Sequence, residues 1–339
     1  MIKIIRLWLQ KYRRREFLPG YIFDIPVYIY GIYLIIKARH IGFFSNINPG
    51  MILSGFAGYS KYNDIDKFDA KLLPTTILIT SGHDSQYCEQ EMKKNNIAYP
   101  CIMKPTLGRT GRDVKKIHNT KQLKKYLKHI HEDILIQEFL TEPLEFGIFY
   151  YRMPSEENGH ITGIVEKKFM FLHGDGKNTF EQLVYRHPRA KYYYHQLKND
   201  YKEKRGDILA DGEKFQLNYI GNHVRGSTFY DVSNLITSQL EKIIDDISKK
   251  VDGFYFGRYD IKTNNKEDLY EGKFKIIELN GMGSLPIHIY DPKHNIRNAY
   301  KTLINHRKIA YSISKENTKR GHKFVSFKEI HKIVKKYGI

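Results

Sequence analysis

The sequence has only two cysteines and one tryptophan in 339 residues. Cys88 and Cys101 stand in no CxxC or metal-ligand spacing. That excludes a disulfide-stapled scaffold and a thiolate metal site, and it fits a reducing compartment. A long apolar run is also missing. The nearest candidate, "YIFDIPVYIYGIYLIIKARH", carries Asp24 and Pro26 and soon reaches Lys37. It is marginal for spanning a bilayer and reads as a buried or surface-lying helix. The opening "MIKIIRLWLQKYRRREF" lacks the apolar core and small-residue cleavage site of a secretory signal, so the expected location is cytoplasmic. Acidic side chains are scarce, with 37 Asp and Glu against 56 Lys and Arg, a formal net charge of +19. Such a surface suits an anionic partner such as a nucleotide, a nucleic acid, an acidic peptide or a membrane. Runs such as "KQLKKYLKH" and "HKIVKKYGI" read as solvated helix faces. Aromatic–basic repeats are absent, so no nucleic-acid partner is expected. Membrane-surface contact by the aromatic, basic N-terminal region stays open, and the sequence leaves the oligomeric state unspecified.

Strand-like and helix-like segments alternate irregularly. "LLPTTILIT", "YPCIMKP" and "DILIQEFL" read as strands, and "DSQYCEQEMKKNN" and "TKQLKKYLKHIHE" as helices. "LEFGIFYYRM" and "HITGIVEKKFMFL" read as antiparallel strands split by the turn "PSEENG". "GDGKNTFEQLV" is a turn entering a helix capped by Asn178 or Thr179, and "DVSNLITSQLEKIIDDISKKV" is a long amphipathic helix. The order predicts an α+β fold with antiparallel sheets rather than a βαβ alternation.

The stretch "GRYDIKTNNKEDLYEGKFKIIELNG" reads as a hairpin whose two arms each carry polar residues two positions apart: Arg258 and Asp260, then Glu278 and Asn280. A strand has a side-chain period of two, so these four share one face, and Tyr259, Ile261, Ile277 and Leu279 point to the core. Taken by itself such a face is equally well a solvated sheet surface. Other pieces add chemistry. Lys104 ends a strand and is followed by the glycine loop "TLGRTGRD", where Gly108, Arg109, Thr110 and Gly111 offer backbone N–H groups, a hydroxyl and charge to phosphate, without the GK[ST] of a Walker A motif. In "LIQEFLTEPLEFG", Gln137, Glu138, Phe139 and Leu140 close a strand before the acidic Glu145. Lys167 or Lys168 would emerge from a second strand. "GNHVRGS" places Asn222, His223 and Arg225 between two glycines.

In this order (a lysine strand, a glycine loop, an acidic hinge, a second lysine strand, then R-x-D and E-x-N) the chain resembles the ATP-grasp superfamily of carboxylate–amine ligases. That group includes D-alanine–D-alanine ligase, glutathione synthetase and cyanophycin synthetase. The resemblance covers roughly residues 75 to 295 and is best in "PCIMKP", "LIQEFLTEPLEFG", "GDGKNTFEQL", "GRYDIK" and "IIELNG". It implies an ATP-grasp fold with a nucleotide held between two α+β subdomains. It divides the chain into an atypical N-terminal region at 1–75, a first subdomain at 76–140, a second at 141–310 with the metal site, and a helical tail at 311–339.

The resemblance further implies ATP and Mg2+, with Mn2+ as the alternative. Asp260, Glu278 and Asn280 would hold the metal, and Arg258 would stabilise the oxyanion. Lys104 and one of Lys167 or Lys168 would bind phosphate. Gln137, Phe139 and Leu140 would line the adenine site, and Glu145 would hold the ribose. The implied reaction joins a small-molecule or peptide carboxylate to an amine through an acyl-phosphate. The alternatives are a kinase that stops after phosphoryl transfer and a non-catalytic basic binding protein on the same scaffold. Gln137 stands where many members have Glu, and "ELNGMGSLPIHIYDP" lacks the ending of the D-alanine enzymes, which argues against a D-alanine substrate. The residues left without a role, Asn46, Asn48, Ser60, Lys61, Asn222, His223 and Arg225, are expected to form the acceptor pocket, with Arg225 and His223 among its working side chains.

Overall fold

A computed structural model describes residues 10–12, 15–18, 23–56, 67–106 and 113–337. Its first sheet has four antiparallel strands in the order β1-β4-β2-β3, formed by β1 (Thr76–Ile79), β2 (Cys101–Pro105), β3 (Lys115–Ile117) and β4 (Ile134–Glu138). Alternation decides its faces. Cys101, Met103, Ile134 and Ile136 pack with Cys88 and Met92 of one helix (Ser85–Lys94) and Leu123 and Tyr126 of another (Thr120–Leu127). Asp84 and Asn119 cap these helices by accepting from Tyr87 N and Gln122 N. The intervening residues Lys104 and Gln137 therefore point to the opposite face.

The second sheet has five antiparallel strands in the order β11-β10-β5-β6-β9. They are β5 (Leu144–Tyr151), β6 (His160–Lys168), β9 (Thr228–Asp231), β10 (Phe256–Thr263) and β11 (Lys275–Asn280). The helix Ser238–Lys249 covers one face, where Leu240, Ile244 and Ile247 pack on Phe146, Ile148, Tyr150, Tyr259 and Ile261. A buried carboxylate ties this layer together: Tyr150 Oη and Gly159 N both donate to Asp245 Oδ1, at 2.7 and 3.0 Å. A separate cluster around β7 (Phe171–His173) and β8 (Lys214–Gln216) contains Phe180, Leu183 and Leu197. Thr179 rather than Asn178 caps its helix Phe180–Arg186, in a reciprocal box with Gln182.

The hairpin forms, with one correction. Arg258 lies opposite Asn280 and Asp260 opposite Glu278, but the register then shifts, and Ile261 pairs with Ile276. The bulge leaves Ile277 without a cross-strand partner. Ile276, not Ile277, enters the core beside Tyr259 and Ile261, and Leu279 packs at its edge. The polar pairs keep their common face because the bulge falls before Glu278.

The N-terminal region is stitched to the C-terminal helices. Phe23, just before the helix α1 (Ile25–Ala38), and Val27 on it pack against Ile289, Ala299 and Leu303, the last two on the helix Ile296–Lys319. The expected boundary after residue 310 thus falls inside that helix. Asn46 Nδ2 donates to Thr318 Oγ1 and His322 O at 3.0 and 2.8 Å. Asn48 is fully buried: its Oδ1 accepts from Tyr255 N and Phe256 N at 2.8 and 2.9 Å, and its Nδ2 donates to Phe256 O at 2.8 Å. Both amides, expected in an acceptor pocket, are spent on other parts of the chain, and Ser60 and Lys61 lie outside the described residues.

Asn48→Ala would strand two buried backbone donors. It is expected to lower the unfolding free energy by roughly 3 kcal/mol, given about 1–3 kcal/mol for a buried group left unsatisfied. Urea unfolding checks this, and a loss under about 1 kcal/mol would show that the join is not held this way.

Candidate functional site

The face of the five-stranded sheet turned away from the helix Ser238–Lys249 carries a buried charge cluster. Lys167 Nζ lies 3.0 Å from both Glu145 Oε1 and Asp260 Oδ1. Arg258 grips the same aspartate with a fork, Nε to Oδ1 at 2.9 Å and Nη2 to Oδ2 at 3.1 Å. Its third nitrogen, Nη1, donates to Leu285 O at 3.1 Å. Asn280 Nδ2 reaches Asp260 Oδ2 at 3.3 Å from the neighbouring strand. Strand spacing explains the convergence. Glu145 is opposite Lys262, Asp260 is opposite Gly147, and Gly147 is opposite Val165, so the odd-numbered side chains of β5 and the even-numbered ones of β10 share this face. Gly147 leaves room for the arginine: a Cβ there would come within 3.3 Å of Arg258 Cδ and 2.9 Å of Val165 Cγ1.

The two candidate lysines separate clearly. The Lys167 side chain is 3% exposed and sits in the cluster, whereas that of Lys168 is 50% exposed and pairs with Glu166. The charges are mutually dependent. Burial by itself would push the Asp260 carboxyl up, yet the Arg258 guanidinium and the Lys167 ammonium hold it down at about 2. Burial would likewise lower Lys167, and the Asp260 and Glu145 carboxylates outweigh it and raise the ammonium's pKa. Such a cluster adds little net stability, because desolvation offsets the attraction, but removing one member leaves an uncompensated buried charge.

The hinge between the sheets supplies a second group of residues. Lys104 Nζ donates to Gln137 Oε1 at 3.0 Å, and Gln137 Nε2 donates to Thr76 Oγ1 at 2.8 Å, which fixes the amide orientation. Glu138 turns to the strand edge, where Oε1 accepts from Thr75 N at 2.9 Å. Phe139 meets Tyr219 edge-on at 6.3 Å, with Lys116 Nζ 3.6 Å from the Phe139 centroid. Lys262 Nζ reaches the carbonyls of Leu140 and Glu142, both at 3.2 Å, and burial lowers its pKa despite Glu145 and Glu142 nearby. Gly108, Arg109, Thr110 and Gly111 lie outside the described residues.

The "GNHVRGS" loop contributes through its glycine. A Cβ on Gly221 would stand 1.8 Å from Glu145 Oε1 and 2.8 Å from Lys167 Cδ, so the backbone presses directly on that ion pair. His223 faces elsewhere. Its Nε2 lies 3.1 Å from Glu16 Oε2, its ring stacks on Tyr290 at 5.5 Å, and burial lowers its pKa. Arg225 Nη1 lies 4.0 Å from Asp200 Oδ2. Asn222 caps the short turn by accepting from Val224 N at 2.8 Å.

The far end of β11 is braced by the N-terminal region. Leu53, Ser54 and Gly55 are consecutive left-handed residues with φ of 44°, 56° and 74°. Each of the two side-chain-bearing residues costs about 1–2 kcal/mol in this conformation. Hydrogen bonds from Met282 N to Ser54 O at 2.8 Å and from Ser54 Oγ to Ser45 O at 2.8 Å hold the turn. Its backbone lies against Gly281, where a Cβ would meet Ser54 O at 2.4 Å. This fixes the chain immediately after Asn280. Sequence reasoning marked Gly221 only as a flank of the "GNHVRGS" cluster, and it missed Lys262, Lys116, Tyr219 and this turn. Lys262 was available from period two, standing two residues after Asp260; the other three carry no local signal.

No protein-family model matches the chain. A segment is 30% identical over 92 residues to the carbamoyl phosphate synthase large chain of Methanoregula boonei, covering 25% of this chain and 9% of that protein. Among solved structures, the D-alanine–D-alanine ligase of Bacillus anthracis matches with a TM-score of 0.46 at 11% identity, over 79% of this chain and 70% of that one. The VanG D-Ala:D-Ser ligase of Enterococcus faecalis gives 0.43 at 11% identity, over 75% of this chain and 61% of the other. The ATP-grasp ligase PsnB gives 0.35 at 13% identity, over 70% and 58%. The chain thus spans about three fifths of VanG and a small part of the synthase. All three of these structures are of ligases, and PsnB is an ATP-grasp ligase.

Two outcomes test this geometry. Gly221→Ala forces the loop off Glu145 and is expected to destabilise the protein by about 1–3 kcal/mol, as overpacking does. The shorter acid in Gly221→Ala/Glu145→Asp should restore part of the loss in a double-mutant cycle, and additive effects would show that the two do not touch. The second concerns acid. The folded-state pKa of Asp260 is depressed to about 2 from 3.8, so its stabilisation is complete above about 4 and is lost as pH falls towards about 2. The urea midpoint of wild type minus that of Asp260→Asn should shrink over this window and be flat above it. A pH-independent difference would contradict the ion-pair account.

Proposed function

We propose that this protein is an ATP-dependent carboxylate–amine ligase. The observation that carries this reading is the convergence of Lys167, Arg258, Asp260 and Asn280 on one buried sheet face, beside a hinge held by Lys262 and a strand-borne Lys104. A solvated sheet face, the simpler account of the same polar pattern, does not bury its charges, and the Asp260 and Lys167 side chains are 8% and 3% exposed.

In this reading the adenine lies by the hinge, against Phe139 and Leu140. Lys104 and Lys167 take phosphate oxygens, and Glu145 takes the ribose or keeps Lys167 in place. A substrate carboxylate oxygen attacks the γ-phosphorus and ADP leaves. An amine then attacks the acyl carbon, the amide bond forms and phosphate departs. Arg258 neutralises oxygen charge as it develops, and its fork is prealigned by Asp260.

The donor set suits a hard cation. Among the described residues no three His, Cys, Asp or Glu side chains gather as a metal cluster. The R-x-D and E-x-N pairs instead place two carboxylates, Asp260 and Glu278, directly opposite each other, with the amide of Asn280 alongside. Arg258 and Lys167 already stand beside Asp260, so a metal would add to these cations and not replace them, and Mg2+ takes few protein oxygens, leaving the rest to phosphates and water. Asp260, Glu278 and Asn280 would hold it, or Mn2+ in its place, and it would neutralise the transferring phosphoryl group. The division into a first subdomain ending near 140 and a second beginning near 141 fits the hinge between Glu138 and Leu144.

The test is phosphate release with ATP, magnesium and pools of amino acids, dipeptides and polyamines as carboxylate and amine donors. In parallel, hydroxylamine replaces the amine. A ligase yields a hydroxamate that depends on ATP and on the carboxylate. Glu278→Gln should abolish it while the fold survives, and Lys104→Ala should raise the KM for ATP. Phosphoryl transfer to an acceptor without any hydroxamate would overturn the ligase reading in favour of a kinase.

A further inference from the structure

The helix α1 is apolar on two opposite sides, and only one of them is covered. Val27 and Leu34 are buried at 3% and 2% exposure. Ile25, Tyr28, Ile29, Ile32, Tyr33 and Ile36 are 49–69% exposed. At 3.6 residues per turn those six occupy an arc of roughly 140°, opposite Val27 and Leu34. A helix apolar all round is ordinarily buried on every side, so the bare stripe requires an occupant.

Charge chooses among occupants. From Ile25 to Asn63 the sequence contains no Asp or Glu, and residues 1–63 hold nine Lys and Arg against Glu16 and Asp24. Lys37 lies at the end of the stripe, its Nζ 5.8 Å from the Tyr33 ring, and Arg39 caps the helix. The C-terminal helix Phe327–Tyr337 packs beside the same 41–46 turn that α1 adjoins. It adds an exposed Phe327 at 65% and four lysines, Lys328, Lys332, Lys335 and Lys336, with no fully buried residue. A second copy of the chain would bring another +19 against this surface. The helix has 14 residues, and no helix among the described residues is long and apolar enough to cross a membrane.

We propose that α1 is an in-plane anchor that seats this protein on an anionic lipid bilayer. The isoleucines enter the acyl boundary, and Tyr28 and Tyr33 stand at headgroup level, where an apolar ring with a polar tip is favoured. Lys37, Arg39 and the lysines of the helix Phe327–Tyr337 lie over the acidic headgroups. The proposal is independent of the ligase reading, since it uses none of the same side chains.

The experiment is sedimentation of the full chain with phosphatidylcholine vesicles, with or without about one third phosphatidylglycerol. Wild type should pellet with the anionic vesicles and stay in solution with the neutral ones. Ile29→Glu/Ile36→Glu, which alters only exposed positions, should weaken that binding by at least about tenfold. Ile208→Glu, at an exposed isoleucine elsewhere on the surface, should leave it unchanged. A wild-type chain that ignores anionic vesicles overturns the proposal. So does a double variant that pellets equally well, since basic charge alone would then account for binding. Size-exclusion chromatography covers the remaining occupant: a dimer dissolved by the double variant, without vesicle binding, would assign the stripe to a second copy.

Discussion

Asp260 is the hub on which the site depends. It accepts from Arg258, Lys167 and Asn280, which come from three different strands. Three neighbours aimed at one buried carboxylate hold β6, β10 and β11 in a single arrangement on that face. The opposite face of the same strands is locked by Tyr150 on Asp245 and by Tyr259 within 2.9 Å of Ser248 Oγ. The strands are therefore fixed from both sides. Under the proposed ligase reading, an arriving phosphate group would meet cations already oriented by a partner, so less ordering would be required at the moment of reaction.

The constraint spreads through close backbone approaches. Gly221 lets a loop from beyond β8 rest on Glu145, and Gly281 lets the left-handed turn of Leu53 and Ser54 rest on the end of β11. Neither contact is between neighbours in sequence. The N-terminal region thus acts as a brace: Asn48 bonds to the strand that carries Arg258 and Asp260, at Phe256, and Asn46 bonds to the helix that ends the core. Its outer helix keeps an apolar side that the brace does not need.

Period two in "GRYDIK" and "IIELNG" was enough to place Arg258, Asp260, Glu278 and Asn280 on one face, because a strand's geometry is local and needs no knowledge of the partner. The mixed α+β order, the hairpin and a cap at Asn178 or Thr179 were legible for the same reason: each rests on residues a few positions apart. The bulge at Ile277 was not. It moves Ile276 into the core, and its cause lies in how β11 fits against β10, which a one-strand pattern does not contain.

The choice between Lys167 and Lys168 shows where sequence stops. Both end the same strand, and the period says only that they face opposite ways; the distant Glu145 and Asp260 decide which is buried and paired. The same holds for "GNHVRGS". A cluster of Asn, His, Arg and Gly was visible, but only the folded chain could turn His223 to Glu16 and press Gly221 on Glu145. The sequence by itself determined the local patterns: strand faces, caps, turns and the supply of charge. The tertiary structure decided which charges meet, because burial and Coulomb interaction depend on distance in space, and residues such as Glu16 and His223 are brought together only when the layers pack.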